Sequence, residues 1–228
     1  MLSQSEQDYL TVVYDMQHER GAAWVTTSNL AQRLGVTPAS VTEMLKKLAA
    51  PDRSLLIYER YRGVRLSDAG LAAALEVVRH HRLIETFLSE ALGYGWDEVR
   101  AEAHRLEHVI SETMEDRMAA YLDQPQRDPH GAPIPQRNGV VAPLQDIPLS
   151  ALAPGAPAII CRVLDDDPAL LRYLSSLGMT LGAHVEVAGR APFDGPMHVR
   201  VEEPPVTHAL GAHVTDQVFV EVQTAPAE

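Results

Sequence analysis

The sequence predicts a mainly α chain that ends in a small β domain, and three observations carry that expectation. Apolar residues recur at helical spacing through roughly the first half of the 228 residues. The hydrophobic share is 46% but aromatics are only 5%, so Ala, Leu and Val must supply most of the core, a composition suited to helix packing. From about residue 156 to 222 the pattern changes to short valine-rich stretches broken by Gly and Pro, which reads as a small β-barrel.

A first helix is expected over 5–19, with Ser5 as its cap, Asp8 in the first turn, and Tyr9, Val12, Val13 and Met16 inward. Next comes a short helix with Leu30, Ala31 and Leu34 inward, stopped by Gly35. A new helix follows, capped by Thr37 with Pro38 at its first position, where a missing N–H costs nothing. Val41, Leu45 and Leu48 face inward there. Beside the cap Thr37, the residues Ala39, Ser40, Thr42, Glu43 and Lys46 are left outward. Small polar side chains on the first exposed turns of a second helix suit close approach to base edges, so the pair reads as a helix-turn-helix. The run from Leu55 to Leu66 reads as a β-hairpin with a basic tip, which makes the whole a winged helix over 1–70. Arg60 and Arg62 on that wing are placed to grip phosphate or the minor groove.

Two long helices are expected next, over 68–92 and 96–122, within a helical domain spanning 71–142. The first carries His81 and Glu85 four residues apart, hence on one face. The second carries His104, Glu107 and His108 at i, i+3 and i+4, bringing two imidazoles and a carboxylate within reach of one ion. These are nitrogen and oxygen donors without thiolate, a set that suits manganese, iron(II), cobalt or zinc. Three readings stay open on the residues alone: a metal-dependent DNA-binding regulator, a metal-independent DNA-binding protein with an ordinary polar helix face, and a zinc metallopeptidase. The last follows from His104-x-x-Glu107-His108, which matches an H-x-x-E-H signature with Glu107 as general base.

A Pro- and Gly-rich loop occupies 123–154, and a β domain is expected over 152–224. Such a loop serves either as a loose tether or in function. The net charge of −12 argues against a whole-chain affinity for phosphate. Within 33–65, however, seven basic residues face three acidic ones, so one segment can meet DNA while the remainder repels it. Cys161 is the only cysteine, which excludes an intramolecular disulfide and a thiolate zinc cage and reads as a small core residue. The first residues lack a basic region followed by an apolar run, and no stretch approaches a bilayer span, so a cytoplasmic location without membrane contact is expected.

The combination resembles the diphtheria-toxin-repressor family of metal-dependent regulators, including its manganese transport regulator branch. The likeness runs from Asp8-Tyr9-Leu10 through the winged helix, His81-Arg82-Leu83 and Glu107-His108. It continues in Asp128-Pro129-His130-Gly131-Ala132-Pro133-Ile134-Pro135 and in the C-terminal runs 169–174, 182–187 and 191–196. The resemblance implies a homodimer joined through the helical domain, an SH3-like (FeoA-like) third domain, and double-stranded operator DNA as partner. It implies repression of metal-uptake genes, with metal binding ordering the DNA-binding domains. Carried over by position, Asp8, His104, Glu107 and His108 form the primary metal site and His81 and Glu85 a neighbouring one. The iron branch has Met at the Asp8 position and Cys at the His104 position, so manganese is favoured over iron(II), with other divalent transition metals acceptable in vitro. Arg100 and Thr11 depart from the family's ligand pattern. A carboxylate from 165–167 is a candidate replacement ligand.

Overall fold

The computed structural model describes residues 2–164, 167–203 and 205–223, and the chain divides into two compact units. The first comprises Met1–His81, Leu106–Glu115 and Pro135–Val141; the second comprises Arg82–Arg105, Asp116–Ile134 and Ala142–Glu228.

In the first unit, α1 (Gln4–Tyr14) starts earlier than expected, because Ser3 caps it rather than Ser5. The Ser3 hydroxyl accepts from the Glu6 N–H at 3.4 Å while the Glu6 carboxylate accepts from the Ser3 N–H at 2.8 Å. That reciprocal pair needs a Glu or Gln three residues after the cap; Ser5 has Asp8 there, and Asp8 is engaged by His108. The expected remainder of the helix, Asp15–Glu19, is a π-helical turn. Helices α2 (Thr27–Leu34) and α3 (Pro38–Leu48) are capped by Thr26 and Thr37, and Gly35 between them takes a left-handed φ of 66°. Val41, Leu45 and Leu48 are fully buried and pack with Leu10, Val13, Val25 and Leu30. The wing is β1 (Leu56–Glu59) paired antiparallel with β2 (Gly63–Leu66). Ser67 then caps α4 (Asp68–Leu92), its hydroxyl accepting from the Gly70 N–H.

The single helix expected over 96–122 is two: α5 (Val99–Leu106) and α6 (Glu112–Tyr121). Ser111 offers its hydroxyl to the Met114 N–H at 3.3 Å and opens a new helix, and the β-branched pair Val109-Ile110 precedes it. Glu107 and His108 therefore sit in the turn that ends α5.

The second unit holds a six-stranded antiparallel sheet in the order β3-β8-β4-β5-β6-β7. Its strands are β3 (Ile147–Pro148), β4 (Pro157–Val163), β5 (His184–Arg190), β6 (Met197–Val201), β7 (Val206–Leu210) and β8 (Val218–Val222). The sheet begins at Ile147, ahead of 152. Helix α7 (Pro168–Ser176), capped by Asp167, drives Leu170, Leu171 and Leu174 into the sheet core, and the short α8 (Ala212–Thr215) precedes β8. Asp165 and Asp166 lie outside the described residues, and Asp167 is occupied in capping the Ala169 N–H at 2.8 Å.

The Pro-rich loop is not a loose tether. Residues 130–135 are buried, and Asp128 Oδ1 accepts from the N–H groups of His130 and Ala132 at 2.8 and 3.0 Å. The His130 carbonyl accepts from the Val163 N–H, and the Arg82 guanidinium donates to the Pro133 carbonyl at 2.7 Å. Trp96 Nε1 donates to Ser175 Oγ on α7 at 2.9 Å, and residues 82–105 and 116–134 share one packed unit with the sheet domain. Cys161 on β4 is half-buried; burial first, then Asp146 and Glu221, push its thiol up to about 11, as befits an unreactive core residue.

Gly131 sets how closely this loop hugs β4. Its φ is 87°, and a Cβ would stand 2.0 Å from the Cys161 carbonyl oxygen. Gly131→Ala should therefore destabilise the second unit by about 2 kcal/mol or more, read as a lower urea midpoint. An unchanged midpoint would remove the close packing from the account.

Candidate metal centre and nucleic-acid surface

Helix α1 and the turn after α5 bring Asp8, Glu107 and His108 together, each offering a ligand atom within 4.8 Å of the others. His108 Nε2 lies 2.9 Å from Asp8 Oδ1 and 3.1 Å from Glu107 Oε1. His108 Nδ1 faces Gln7 Oε1 at 2.7 Å. An amide oxygen only accepts, so Nδ1 carries the proton and donates. In the neutral ring this leaves the Nε2 lone pair directed at two carboxylates. That is the arrangement of a ligating histidine whose other nitrogen is fixed by a carbonyl partner. Two carboxylates this close repel by on the order of 3 kcal/mol at an intermediate dielectric, and a cation relieves that. The donor set and its geometry fit a divalent metal.

Glu107 is buried and binds on both sides, its second oxygen 2.5 Å from His81 Nδ1. His81 thus joins the first group. His104 lies on α5, four residues before His108 in the chain, and is exposed. Glu85 falls in a different group. It is fully buried with Asp128 and His130, and the Arg100 Nε donates to it at 3.2 Å. His130 Nε2 donates to the Trp96 carbonyl at 2.7 Å, while His130 Nδ1 and Asp128 Oδ2 have no hydrogen-bond partner among the described residues. Burial, then the nearby Glu85 charge, raise the Asp128 pKa, with Arg82, His130 and Arg100 opposing. A third group, His80 with Glu112 and Glu115, is threaded by the Arg79 and Arg137 guanidiniums and reads as an ion-pair network. Sequence reasoning missed Gln7, Asp128 and His130 as site members. The polar Asp-Pro-His-Gly run amid buried apolar positions was a signal for the last two; nothing in spacing marked Gln7.

On the nucleic-acid side, Thr37, Ala39, Ser40, Glu43 and Lys46 are exposed on α3 and its cap, as are Arg60 and Arg62 on the wing. Thr42 is half-buried, its hydroxyl donating to the Pro38 carbonyl at 2.9 Å. The Thr37 hydroxyl caps the Ser40 N–H at 3.2 Å. Glu6 ties α1 to the recognition helix: its carboxylate lies 3.0 Å from Lys47 Nζ on α3 and accepts from Arg53 at 2.8 Å. No described helix is long and apolar enough to cross a membrane.

A winged helix whose first helix carries one half of a cation-binding group defines a metal-responsive DNA-binding regulator. The family model described as "Iron dependent repressor, N-terminal DNA binding domain" matches residues 1–64. "Iron dependent repressor, metal binding and dimerisation domain" matches 67–136, and "FeoA domain" matches 147–222. The chain is 32% identical to the iron-dependent repressor IdeR of Mycobacterium leprae over 219 residues, covering 89% of this chain and 94% of that one. It is 33% identical to the HTH-type transcriptional regulator MntR of Geobacillus kaustophilus over 128 residues, covering 56% and 87%. A solved structure titled "Manganese-dependent transcriptional repressor complex with manganese" superposes with a TM-score of 0.87 at 38% identity, covering 96% of this chain and all of that one. The manganese regulator SloR superposes with a TM-score of 0.79 at 27% identity, covering 96% and 98%. The chain belongs to the diphtheria-toxin-repressor family of metal-dependent transcriptional repressors, with an SH3-like FeoA domain at its C-terminal end. Members of that family are regulators and not enzymes, which retires the peptidase reading of His104-x-x-Glu107-His108.

The Glu6 carboxyl is lowered from 4.5 to about 2, chiefly by the Ser3 N–H, helped by Lys47 and Arg53 against the opposing effect of burial. A depressed carboxylate contributes stability that is complete above about pH 4.5 and lost as pH falls towards 2. Urea midpoints of wild type and Glu6→Gln should therefore differ most above pH 4.5 and converge towards pH 2. A gap independent of pH would mean that Glu6 acts by packing alone.

Proposed function

We propose that this chain is a manganese-responsive repressor in which Asp8, His104, Glu107 and His108 hold the regulatory ion and His81 braces Glu107. The observation that carries this is the convergence of two carboxylates on His108 Nε2 with Nδ1 held by Gln7. A bound divalent ion would supply the positive charge that lets these anionic donors share one site. The group contains no sulfur donor, which favours manganese, with iron(II) second and other divalent transition metals able to substitute in vitro. One similar solved structure is titled as a complex with manganese, whereas the family models and IdeR are named for iron, so the preference for manganese rests on the donor set.

Regulation then follows from where α1 is fastened. Gln7 and Asp8 meet His108, and Glu6, on the same helix, holds Lys47 on α3 and Arg53. Anything that fixes Asp8 against His108 also fixes the recognition helix. An ion need only favour that arrangement; about 1.4 kcal/mol of preference shifts the ratio tenfold. We further propose that the protein acts in the cytoplasm as a homodimer joined through the helical domain, placing two recognition helices on successive turns of operator DNA upstream of metal-uptake genes.

For the ancillary site, Arg100 and Arg82 bring positive charge to the buried Glu85, Asp128 and His130, so we propose that these guanidiniums serve where a second ion would. One tightly held manganese per chain is expected from metal analysis after dialysis. Two equivalents, reduced to one by Asp128→Ala, would put an ion in the buried group instead.

Anisotropy of a labelled duplex from upstream of the gene should rise with protein in manganese and not in EDTA. Asp8→Ala and Glu107→Ala should abolish the manganese effect, and should also lose the thermal stabilisation that saturating ligand confers, about 2.7 kcal/mol at a hundredfold excess over Kd. DNA affinity indifferent to manganese in wild type would sink the switch and leave a metal-independent DNA-binding protein.

A further inference from the structure

Trp24 lies outside both the helix-turn-helix and the wing hairpin in sequence, yet it reaches the wing. Val25 pairs antiparallel with Val64 on β2, the backbone groups exchanging hydrogen bonds of 2.8 and 2.9 Å. That register sets Trp24 across from Arg65, with both side chains on one face. Gly63 permits the approach: its φ is 116°, and a Cβ there would stand 2.2 Å from the Val25 carbonyl oxygen. The Trp24 ring consequently receives two guanidiniums, Arg62 at 4.3 Å and Arg65 at 5.3 Å from its centroid.

Two like charges on one indole repel each other, and among the described residues only one has a carboxylate partner. Arg62 pairs with Glu59 at 3.1 Å, while Arg65, exposed on β2, has no carboxylate partner among the described residues. The electron-rich ring face offsets part of the repulsion, and both arginines are exposed, Arg62 giving Nη1 to Glu59. Paired guanidinium edges on an exposed rim are complementary to phosphate oxygens.

We propose that Trp24 is a positioning residue of the DNA-binding surface, a stacking platform that holds Arg62 and Arg65 side by side to engage the phosphate backbone of duplex DNA. This rests on the DNA-binding reading of the wing and adds Arg65 and Trp24 to it. The ring makes no contact with the bases, so its loss reduces affinity through the arginines and equally on every sequence.

The test uses the full chain with saturating manganese and the upstream duplex, with anisotropy followed across a salt series. Arg65→Ala and Trp24→Leu should each flatten the slope of log affinity against log salt by about one unit, the signature of a lost phosphate contact. Trp24→Phe, which keeps a π face, should restore the wild-type slope. The tryptophan emission of wild type should change on adding DNA, and that change should vanish in Trp24→Phe. A wild-type slope in Trp24→Leu overturns the proposal. Equal loss in the Leu and Phe variants, accompanied by a lower Tm, also overturns it by making Trp24 a packing residue. Failure of wild type to bind the duplex at all would instead strike the DNA-binding reading itself.

Discussion

Asp8 and Glu107 come from distant parts of the chain and direct their carboxylates at the same nitrogen of His108, whose other nitrogen is committed to Gln7. Much of the first unit is arranged around that meeting. Glu107 is held from behind by His81, and its backbone carbonyl faces His80 Nδ1 at 3.2 Å. His80 is set in turn by Glu115, and Glu115 by Arg79. A ligand group made of mutually repelling anions is poised only if its members cannot swing apart. This chain of hydrogen bonds supplies that constraint on Glu107 and His108.

The same logic explains why α1 is built as it is. Consecutive residues at its start have separate duties: Glu6 faces Lys47 and Arg53, while Gln7 and Asp8 face His108. An α-helix presents successive residues about 100° apart, so one turn can face two neighbours at once. The capping box from Ser3 keeps that turn from fraying, which matters because a frayed first turn would release both contacts. The His108 contacts on one side of α1 and the α3 contact on the other are thus joined by a single capped turn.

In the second unit, charges that resemble a metal group are balanced differently. Glu85 and Asp128 are both buried beside His130, and two arginines approach them. Buried carboxylates need an opposite charge or a proton. Arg100 beside Glu85 and Arg82 beside Asp128 bring the opposite charge. The loop that carries Asp128 and His130 is itself held by β4 through Gly131 and the Val163 hydrogen bond. The FeoA domain therefore bears directly on this buried group, and its presence next to the helical segment is structural as well as modular.

The sequence by itself determined the local elements whose signals are local. Thr37-Pro38 marked the start of α3, Gly35 the turn before it, and the valine-rich runs the sheet, because caps, prolines and periodicity act over a few residues. It also placed His104, Glu107 and His108 near one another, since they are neighbours in the chain. It misplaced the first cap, where Glu6 decided between Ser3 and Ser5, and it ran α5 and α6 together, because helical periodicity does not register a single interrupting turn. Only the tertiary structure decided partnership. That Gln7 fixes His108, that His81 serves Glu107 while Glu85 joins Asp128 and His130, and that Trp24 lies under two wing arginines are contacts across sequence separations that no spacing rule spans. Which donors face one ion depends on the angle and register at which whole elements pack, and that is set by the summed burial of their cores.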